Sequence, residues 1–429
     1  MVSMKAKLYL IFLFTIVMAS IANSQIDRTK YITRVNPFIF DIFAQAGKDD
    51  SLNICVFYKI AYQGLVFVQN QGNLSTNLQI EAVFRDNDGI IRRRSNHYDT
   101  ILVQTFDETK DKNRFRFGYL QENLPSSLYT IQIQVTDLKG QVIYKTSINL
   151  KNDLKNRLIT PLFSYKIRGT EYVSQMQQGF SFAANDLSLY VPINPNLNDQ
   201  FAYNIIKIED KNEINWGEFK QISGECSFLI DTTLFFELSH NGIIVNFRKS
   251  TFNTKFIIIK NLRNNFIPGL YQLILRSKTT TDTINFKVIW ENMPQSLKNP
   301  DYAFKIMEYI LTDEEIKQFK SYRSKDIPKK IFEYWTKKDP SLNTPYNEAM
   351  QEYFARADYA SLNFQTAVQK DGALTDRGMI YILYGPPDDI RTTQNNNKIR
   401  EIWTYNRLIK EFTFDQVSSG VYRLTQIKE

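Results

Sequence analysis

Histidine and cysteine are scarce in this chain of 429 residues. It contains two of each, namely His97, His240, Cys55 and Cys226. Zinc sites are built largely from cysteine and histidine, and serine or cysteine nucleophiles normally rely on a histidine base. The sequence therefore predicts no metal site and no cofactor, and it identifies no catalytic residue.

Both cysteines lie inside apolar, strand-like runs in different parts of the chain. A disulfide requires the two α-carbons to come within about 7 Å, which separately folding regions rarely provide. Two buried thiols are the preferred interpretation of Cys55 and Cys226. A disulfide formed after export is the alternative.

Long apolar runs are absent except at the N-terminus. There, Lys5 and Lys7 precede an almost entirely apolar stretch from Leu8 to Ile21, and Ala22-Asn23-Ser24 offers a small-x-small cleavage site. A bilayer-spanning helix needs about 20 apolar residues, and this run is shorter. We expect residues 1–24 to be a cleaved signal peptide, with a transmembrane anchor as the alternative. There is no cysteine near the cleavage site, so the sequence does not indicate attachment of a lipid there.

Charge of one sign is not concentrated in any long segment. The chain carries 53 lysines and arginines against 45 acidic residues, a net charge of +8, so the sequence predicts no nucleic-acid binding. The one compact basic run, Arg92-Arg93-Arg94, follows a hairpin turn. It is typical of an exposed edge strand that resists strand-to-strand aggregation. The alternative is a phosphate-binding clamp.

Strand patterns dominate from Asn53 to about Leu150. Residues 129–135 alternate between apolar and polar side chains, which is the period of a strand with one buried face. Asp86-Asn-Asp-Gly89 and Asp137-Leu-Lys-Gly140 indicate hairpins, because glycine readily adopts the positive φ of a tight turn. Regularly spaced strands of this kind predict an antiparallel, immunoglobulin-like β-sandwich at residues 25–154.

A second β-rich region follows at residues 155–290. Its strand-like runs are residues 201–208, 242–247, 256–259 and 271–275. Residues 124–129 and 267–271 each place a proline-containing turn and a tyrosine at the start of a late strand. We interpret the two regions as a tandem pair of sandwiches. The alternative is one large β-domain.

Helical patterns appear in the last third of the chain, which we predict to be an α+β domain at residues 291–429. Apolar side chains there recur at helical spacing. Thr312 and Glu315 form a capping-box pattern. A further helix is expected after Thr344, with Pro345 in its first turn. The region should contain three or four helices.

Strand patterns return near the C-terminus. Residues 401–405, 411–414 and 421–424 alternate, whereas Met379-Ile-Tyr-Ile-Leu-Tyr384 is apolar or aromatic throughout, which predicts a strand buried on both faces. The predicted fold class is thus multidomain. Two tandem antiparallel, immunoglobulin-like β-sandwiches precede an α+β domain of helices and a small antiparallel sheet.

Six short motifs follow one another in this last region. They are Tyr334-Trp-Thr-Lys-Lys-Asp-Pro340, Thr344-Pro-Tyr-Asn-Glu348, residues 372–376, residues 377–388, Glu401-Ile-Trp403 and Tyr422-Arg-Leu424. Together they resemble the GWxTD-domain proteins of Bacteroidetes and related bacteria. The resemblance implies an exported protein, periplasmic or peripheral to the outer membrane, without an established biochemical role.

Ala373 departs from this family pattern, because it stands where the tryptophan that names the family should be. If that tryptophan were an indispensable ligand platform, this chain should have lost the corresponding function. Substituting Ala373→Trp should then improve packing or restore binding.

Several motif residues are candidate functional positions of unassigned role. They are Asp339, Asn347, Glu348, Gly372, Thr375, Asp376, Arg377, Gly378, Gly385, Pro386, Pro387, Asp388 and Trp403. Most suit structural roles, because threonine and aspartate oxygens satisfy turn amides and a Gly-Pro-Pro run ends a strand. Asp339, Asn347 and Glu348 suit helix caps. A ligand-binding groove that uses these three residues is the alternative.

Three functions fit the sequence. We prefer a noncatalytic interaction or assembly protein of the cell envelope, with the sandwiches as spacers and partner surfaces and the C-terminal domain docked onto a larger complex.

One alternative is a hydrolase of envelope sugars or peptides that uses carboxylates among Asp339, Glu348, Asp376 and Asp388. The adjacent Asp388 and Asp389 would point in opposite directions on an extended chain, which makes them a poor acid–base pair. The other is a carbohydrate-binding or adhesive module, suggested by an aromatic content of 14%.

Overall fold

The computed structural model describes residues 36–429 apart from residues 71, 112, 151–159, 211–212, 263–264, 342–344, 396–397 and 419. The predicted signal peptide at residues 1–24, the boundary between residues 154 and 155, and Thr344 lie outside the described residues. Residues Phe38–Glu429 belong to one structural unit.

β-Strands make up most of the first two thirds of the chain. The first region contains β1 (Phe38–Ala46), β2 (Ser51–Ala61), β3 (Val68–Asn70), β4 (Asn73–Arg85), β5 (Ile91–Val103), the short helix α1 (Phe106–Lys110), β6 (Phe115–Pro125), β7 (Tyr129–Thr136) and β8 (Val142–Leu150). The second contains β9 (Leu162–Ile167), β10 (Thr170–Val173), β11 (Gly179–Ser181), β12 (Leu187–Ile193), β13 (Ala202–Ile208), β14 (Ile222–Glu225), β15 (Ser227–Ile230), β16 (Thr232–Ser239), β17 (Gly242–Lys249), β18 (Lys255–Leu262), β19 (Gly269–Arg276) and β20 (Thr281–Ile289).

Helices and a final set of strands form the last third. They are α2 (Pro300–Met307), α3 (Asp313–Lys320), α4 (Ile327–Thr336), α5 (Glu348–Asn363), α6 (Asp376–Tyr384), β21 (Asp389–Asn395), β22 (Lys398–Tyr405), β23 (Lys410–Ser418) and β24 (Val421–Lys428). A 3-10 turn at Gly372–Leu374 connects towards α6.

The described strands form five sheets. Sheet I has the order β1-β2-β6, sheet II the order β3-β4-β7-β8 with β5 paired to β4, and sheet III the order β15-β18-β12-β9-β10-β17-β16. Sheet IV has the order β11-β20-β19-β13-β14 and sheet V the order β21-β22-β23-β24. The pair β11–β20 is parallel, whereas the pairs within sheets I, II and V are antiparallel.

Sheets I to IV stack in the order II, I, III, IV. Sheets I and II share one core, to which Ile54 of β2 and Ile80 of β4 belong. The neighbouring residues Cys55 and Phe57 of β2 point the other way and pack with Phe236 of sheet III. Because successive side chains of a strand alternate between its faces, β2 is buried on both sides.

The largest core lies between sheets III and IV and continues into the helices. Leu189 of β12 and Leu273 of β19 belong to the same cluster as Ile306 of α2, Trp335 of α4 and Ile382 of α6. One apolar core therefore extends from the second β-rich region into the helical region.

The coarse fold predicted from the sequence is confirmed. A mostly antiparallel β-sheet part precedes a region of helices and a small antiparallel sheet. The two predicted hairpins connect β4 to β5 and β7 to β8, with Gly89 at φ +77° and Gly140 at φ +73°. The capping box of Thr312 and Glu315 is present at the start of α3.

The basic run Arg92-Arg93-Arg94 lies on β5, which pairs only with β4 among the described strands. Each guanidinium meets a carboxylate, at 2.5 Å from Asp86, 2.9 Å from Glu122 and 2.7 Å from Glu81, respectively. These partners favour the interpretation as an exposed edge strand over a phosphate clamp.

The two cysteines are free and buried, as preferred from the sequence. Burial raises the pKa of the Cys226 thiol to about 12 and raises that of Cys55 further. Because the thiolate is the reactive form of cysteine, both side chains are unreactive components of the core.

One predicted strand is in fact a helix. Residues 379–384 lie in α6, and their uniformly apolar composition reflects cover on two sides of that helix. Ile382 belongs to the core shared with α5, whereas Ile380 packs with Trp403 of sheet V. A short apolar run does not distinguish a strand from a buried helix, so the prediction was wrong. The motif Gly385-Pro386-Pro387 consequently ends a helix.

Two further predictions about the last region need correction. The helix expected to contain Pro345 begins at Glu348, because Asn347 caps it by accepting a hydrogen bond from the amide of Met350 at 2.7 Å. The described residues after 291 contain five helices where three or four were expected, and the pattern analysis did not predict β21.

Candidate functional site

Four of the six family motifs meet at a corner formed by the C-terminal half of α5, the 3-10 turn, α6 and sheet V. A Cβ at Gly378 would lie 1.9 Å from the carbonyl oxygen of Gly372, and a Cβ at Gly372 would lie 2.2 Å from the carbonyl oxygen of Ala360 on α5. Both approaches are closer than any side chain allows. The two glycines therefore let three backbone segments pack directly against one another.

Thr375 starts α6. Its hydroxyl donates to the carbonyl of Gly372 at 2.8 Å and accepts from the amide of Gly378 at 3.1 Å. Asp371 acts one turn earlier, where its carboxylate accepts from the amide of Ala373 at 3.1 Å. Such N-terminal caps satisfy amides that have no partner within the helix.

Asp376 connects the first turn of α6 to sheet V. Its Oδ2 accepts from the backbone amide of Leu424 at 2.8 Å, and its Oδ1 lies 3.3 Å from the guanidinium of Arg423. Leu424 belongs to β24, an edge strand of sheet V. The motif aspartate thus satisfies a backbone donor of an edge strand and joins that strand to the helix.

Arg377 makes the second connection between α6 and sheet V. Its Nη1 donates to both carboxylate oxygens of Glu401, at 3.1 and 3.2 Å, and its guanidinium lies 4.1 Å from the ring centre of Tyr422. Glu401 also accepts from the indole nitrogen of Trp403 at 3.3 Å. Charge-assisted hydrogen bonds of this kind are roughly twice as strong as neutral ones.

The C-terminal end of α6 is fixed by its own set of contacts. Gly385 ends the helix at φ +81°, a conformation that disfavours other residues. Its carbonyl accepts from the hydroxyl of Tyr405 at 2.9 Å. Beyond Pro386 and Pro387, Asp388 accepts from the amide of Asn406 at 2.7 Å.

Asn347 and Glu348 lie at the start of α5, and Asp339 lies in the segment between α4 and α5. Asp339 and Glu348 both bind Ser341, one through its amide at 2.8 Å and the other through its hydroxyl at 3.2 Å. Asn347 caps the helix and also donates to the carbonyl of Trp335 at 2.6 Å. Each of these side chains is engaged in local turn or cap geometry.

The four carboxylates named for the hydrolase alternative lie in separate places. Asp339 and Glu348 share Ser341 before α5, whereas Asp376 is the first residue of α6 and Asp388 lies beyond its C-terminal end. Asp376 accepts from the amide of Leu424 on β24, and Asp388 accepts from the amide of Asn406. Within the described residues, no group of three or more histidine, cysteine, aspartate or glutamate side chains is arranged to hold a metal ion.

Ala373 is completely buried, with an exposed fraction of 0%. Its carbonyl accepts from the hydroxyl of Tyr309 at 3.0 Å. Burial, followed by the nearby charges of Asp371 and Asp376, raises the pKa of Tyr309 to about 12. The position is thus part of a packed interior and offers no surface platform for a ligand.

Two residues that hold this corner together, Tyr309 and Glu401, are not among the candidate functional positions named from the sequence. Tyr309 lies in an ordinary helical pattern and carries no distinguishing signal. Glu401 could have been found, because it lies two positions before the candidate Trp403 and therefore on the same face of their strand.

The GWxTD domain family matches residues 269–426 of the chain. The chain therefore contains a GWxTD domain, and the resemblance of its motifs is confirmed. The matched residues begin with β19 of the second β-rich region and include the helices and most of sheet V. None of the curated proteins matches the chain.

Solved structures of bacterial alpha-2-macroglobulins are also similar to parts of this chain. The Salmonella protein reacted with methylamine matches 60% of this chain at 12% identity with a TM-score of 0.14, and a mutant of it matches 59% at 12% identity with the same TM-score. The Escherichia coli protein in its native conformation matches 59% at 8% identity, again with a TM-score of 0.14. The chain spans 16–17% of the length of these proteins.

No helix of the described residues is both long and apolar enough to cross a membrane.

Proposed function

We propose that this chain is a noncatalytic interaction protein of the cell envelope, exported to the periplasm or held at the periphery of the outer membrane. The observation that carries the proposal is the use of the motif side chains. Thr375, Asp376, Arg377 and Asp388 are engaged with neighbouring backbone or side-chain groups. Groups that bind a substrate would instead converge on a cleft.

Paired tyrosine contacts support two immunoglobulin-like sandwiches as the spacer. The Tyr129 hydroxyl donates to the carbonyl of Pro125 at 2.9 Å, and the Tyr271 hydroxyl donates to the carbonyl of Ile267 at 2.7 Å. Each bond reaches back four residues. This is the contact of a tyrosine corner, a feature of immunoglobulin-like sandwiches, and it occurs once in each β-rich region.

A short segment after β20 supports a rigid connection between the spacer and the GWxTD domain. Trp290 donates from its indole nitrogen to Gln351 of α5 at 2.8 Å, and Gln351 donates to the carbonyl of Asn292 at 2.8 Å. Between them, Glu291 forms an ion pair with Lys59 of β2. Three consecutive residues thus contact sheet I and α5.

The hairpin between β22 and β23 is the surface that we assign to docking onto a protein partner. Its tip exposes Leu408 by 48% and Ile409 by 81%. Ile409 has φ +55°, a left-handed conformation that costs a β-branched residue about 1–2 kcal/mol. A strained and exposed apolar residue indicates a functional requirement, because it contributes little to the stability of the fold.

Cross-linking in intact cells, followed by affinity recovery of the tagged full chain and mass spectrometry, tests this proposal. We expect envelope proteins to be recovered in fixed proportion to the chain, with cross-links from Lys410 beside the tip. Ile409→Gly should abolish recovery without loss of stability, because glycine accepts the left-handed conformation. Val417→Ser, which alters a side chain exposed by 61% in the same sheet, should not. Recovery of the chain only as a free monomer would contradict the proposal.

A further inference from the structure

A charged cluster lies between sheets I and III, far from the GWxTD motifs in sequence. Asp41 of β1 and Lys59 of β2 have exposed fractions of only 7% and 6%. Lys59 pairs with Glu291, whose side chain is 19% exposed, and covers the ring of Phe115 at 4.1 Å. The ammonium group of Lys59 also acts on Asp41 through its charge, so two carboxylates and one ammonium group lie in a poorly hydrated space.

The carboxylate of Asp41 holds the turn between β10 and β11. Its oxygens accept from the amide of Gln177 at 3.0 Å and from the amide of Gln178 at 2.7 Å. Both glutamines have left-handed backbones, with φ of +54° and +63°. Left-handed conformations are unfavourable for such residues, so the contact across the sheets keeps the turn in a shape that it would not adopt alone.

We propose that Asp41 is a proton-operated latch between sheet I and the 174–178 turn, closing more tightly when it binds a proton. Opening of the latch exposes the carboxylate to water and releases the two amides. The inference does not depend on the proposed envelope function, because it concerns a contact between two parts of the chain.

Charge and burial set the direction of this effect. Burial raises the pKa of the Asp41 carboxyl from 3.8 to about 6, against the opposing influence of the Gln178, Gln177 and Met176 amides and of Lys59. Lys59 is the charged group that faces Asp41 from β2, and residues 174–178 contain no titratable side chain. An opened, hydrated Asp41 would have its ordinary pKa.

The Asp41 carboxyl has a different pKa in the closed and open states of the latch, and this difference sets the sign of the pH dependence. The closed state binds a proton more tightly than the open state, so lowering the pH through about 6 stabilises the closed state. Above about pH 7 both states are ionised and the dependence disappears. Between about pH 7.5 and about pH 5, the equilibrium constant for opening should fall about tenfold.

Hydrogen exchange of the Gln177 and Gln178 amides in the full chain measures this opening. After correction for intrinsic chemical rates, we expect the tenfold fall in the opening constant for the unaltered chain. Asp41→Asn, which cannot titrate, should remove the pH dependence. Asp137→Asn is the matched control, because Asp137 also accepts two turn amides, at 2.9 Å each, on the surface. It should leave the dependence at Gln177 and Gln178 intact.

A second measurement keeps the proposal testable if Asp41→Asn does not fold. Titration of the Asp41 carboxyl carbon by NMR in the unaltered chain should give a midpoint of about 6. A midpoint of about 4, or an opening constant that does not change between about pH 7.5 and about pH 5, would overturn the proposal.

Discussion

At the scale of single residues, the threonine and aspartate of the GWxTD motif divide the work of joining α6 to its surroundings. Thr375 satisfies amides within the turn that precedes α6, whereas Asp376 reaches the amide of Leu424 in sheet V. Neither the hydroxyl of Thr375 nor the carboxylate of Asp376 is directed into an open site. The motif is therefore explained by the geometry of one corner of the fold.

Replacing Asp376 by alanine should lower the free energy of unfolding by about 1–2 kcal/mol, because the amide of Leu424 loses its partner. Arg423→Ala removes only the ion pair between Arg423 and Asp376. It should lower the free energy of unfolding by less than about 1 kcal/mol, since the arginine side chain is 64% exposed. Urea denaturation of both variants measures the difference. Equal effects would show that the exposed ion pair, and not the amide contact, dominates.

Ala373→Trp should destabilise this chain. The alanine is fully buried and its carbonyl is held by Tyr309, so an indole would have to displace packed neighbours at a cost of about 1–3 kcal/mol or more. This expectation replaces the improved packing suggested by the family pattern alone. Thermal unfolding decides between them, and a raised melting temperature would show that the site can accept the family tryptophan.

At the scale of elements, α6 shows where sequence patterns fail. The strands β7 and β19 were predictable because their side chains alternate between one buried and one wetter face. In contrast, α6 is covered by α5 on one side and by sheet V on another, so its sequence has no polar face to reveal a period. Its caps, Thr375 and Gly385, were visible in the sequence but were interpreted as the ends of a strand.

Gly378→Ala tests the close packing of these elements. The added Cβ would approach the carbonyl oxygen of Gly372 to 1.9 Å, and backbone atoms cannot move aside as a flexible side chain can. The variant should lose about 2–4 kcal/mol of stability, at the upper end of typical single substitutions. Denaturant unfolding provides the measurement. A loss of less than about 0.5 kcal/mol would mean that α6 and the 3-10 turn are not held in direct contact.

At the scale of the whole molecule, long-range contacts connect regions that the sequence presents as separate. Lys59 and Glu291 are separated by 232 positions, and Gln45 of β1 exchanges two hydrogen bonds with the backbone of Leu234. Such pairs cannot be identified from periodicity or composition, because nothing local specifies the partner. The kind of secondary structure in each region could be predicted from the sequence, whereas the stacking of sheets I to IV could not.

The shared core predicts that the second β-rich region and the helical region unfold together. Leu273 of β19 and Trp335 of α4 belong to the same buried cluster, so exposing one region leaves apolar surface of the other in water. Calorimetry of the full chain should show these regions in one transition, with equal calorimetric and van't Hoff enthalpies for it. Separate transitions for the helices and sheets III and IV would contradict this expectation.

The central claim is that the motif corner is structural and that the exposed hairpin tip is the contact surface. The most direct test compares recovery of the partner by two variants at a temperature where both are folded. Asp376→Ala should be less stable and still recover the envelope partner. Ile409→Gly should keep its stability and lose the partner. The opposite pattern, with recovery lost in Asp376→Ala and retained in Ile409→Gly, would contradict the account.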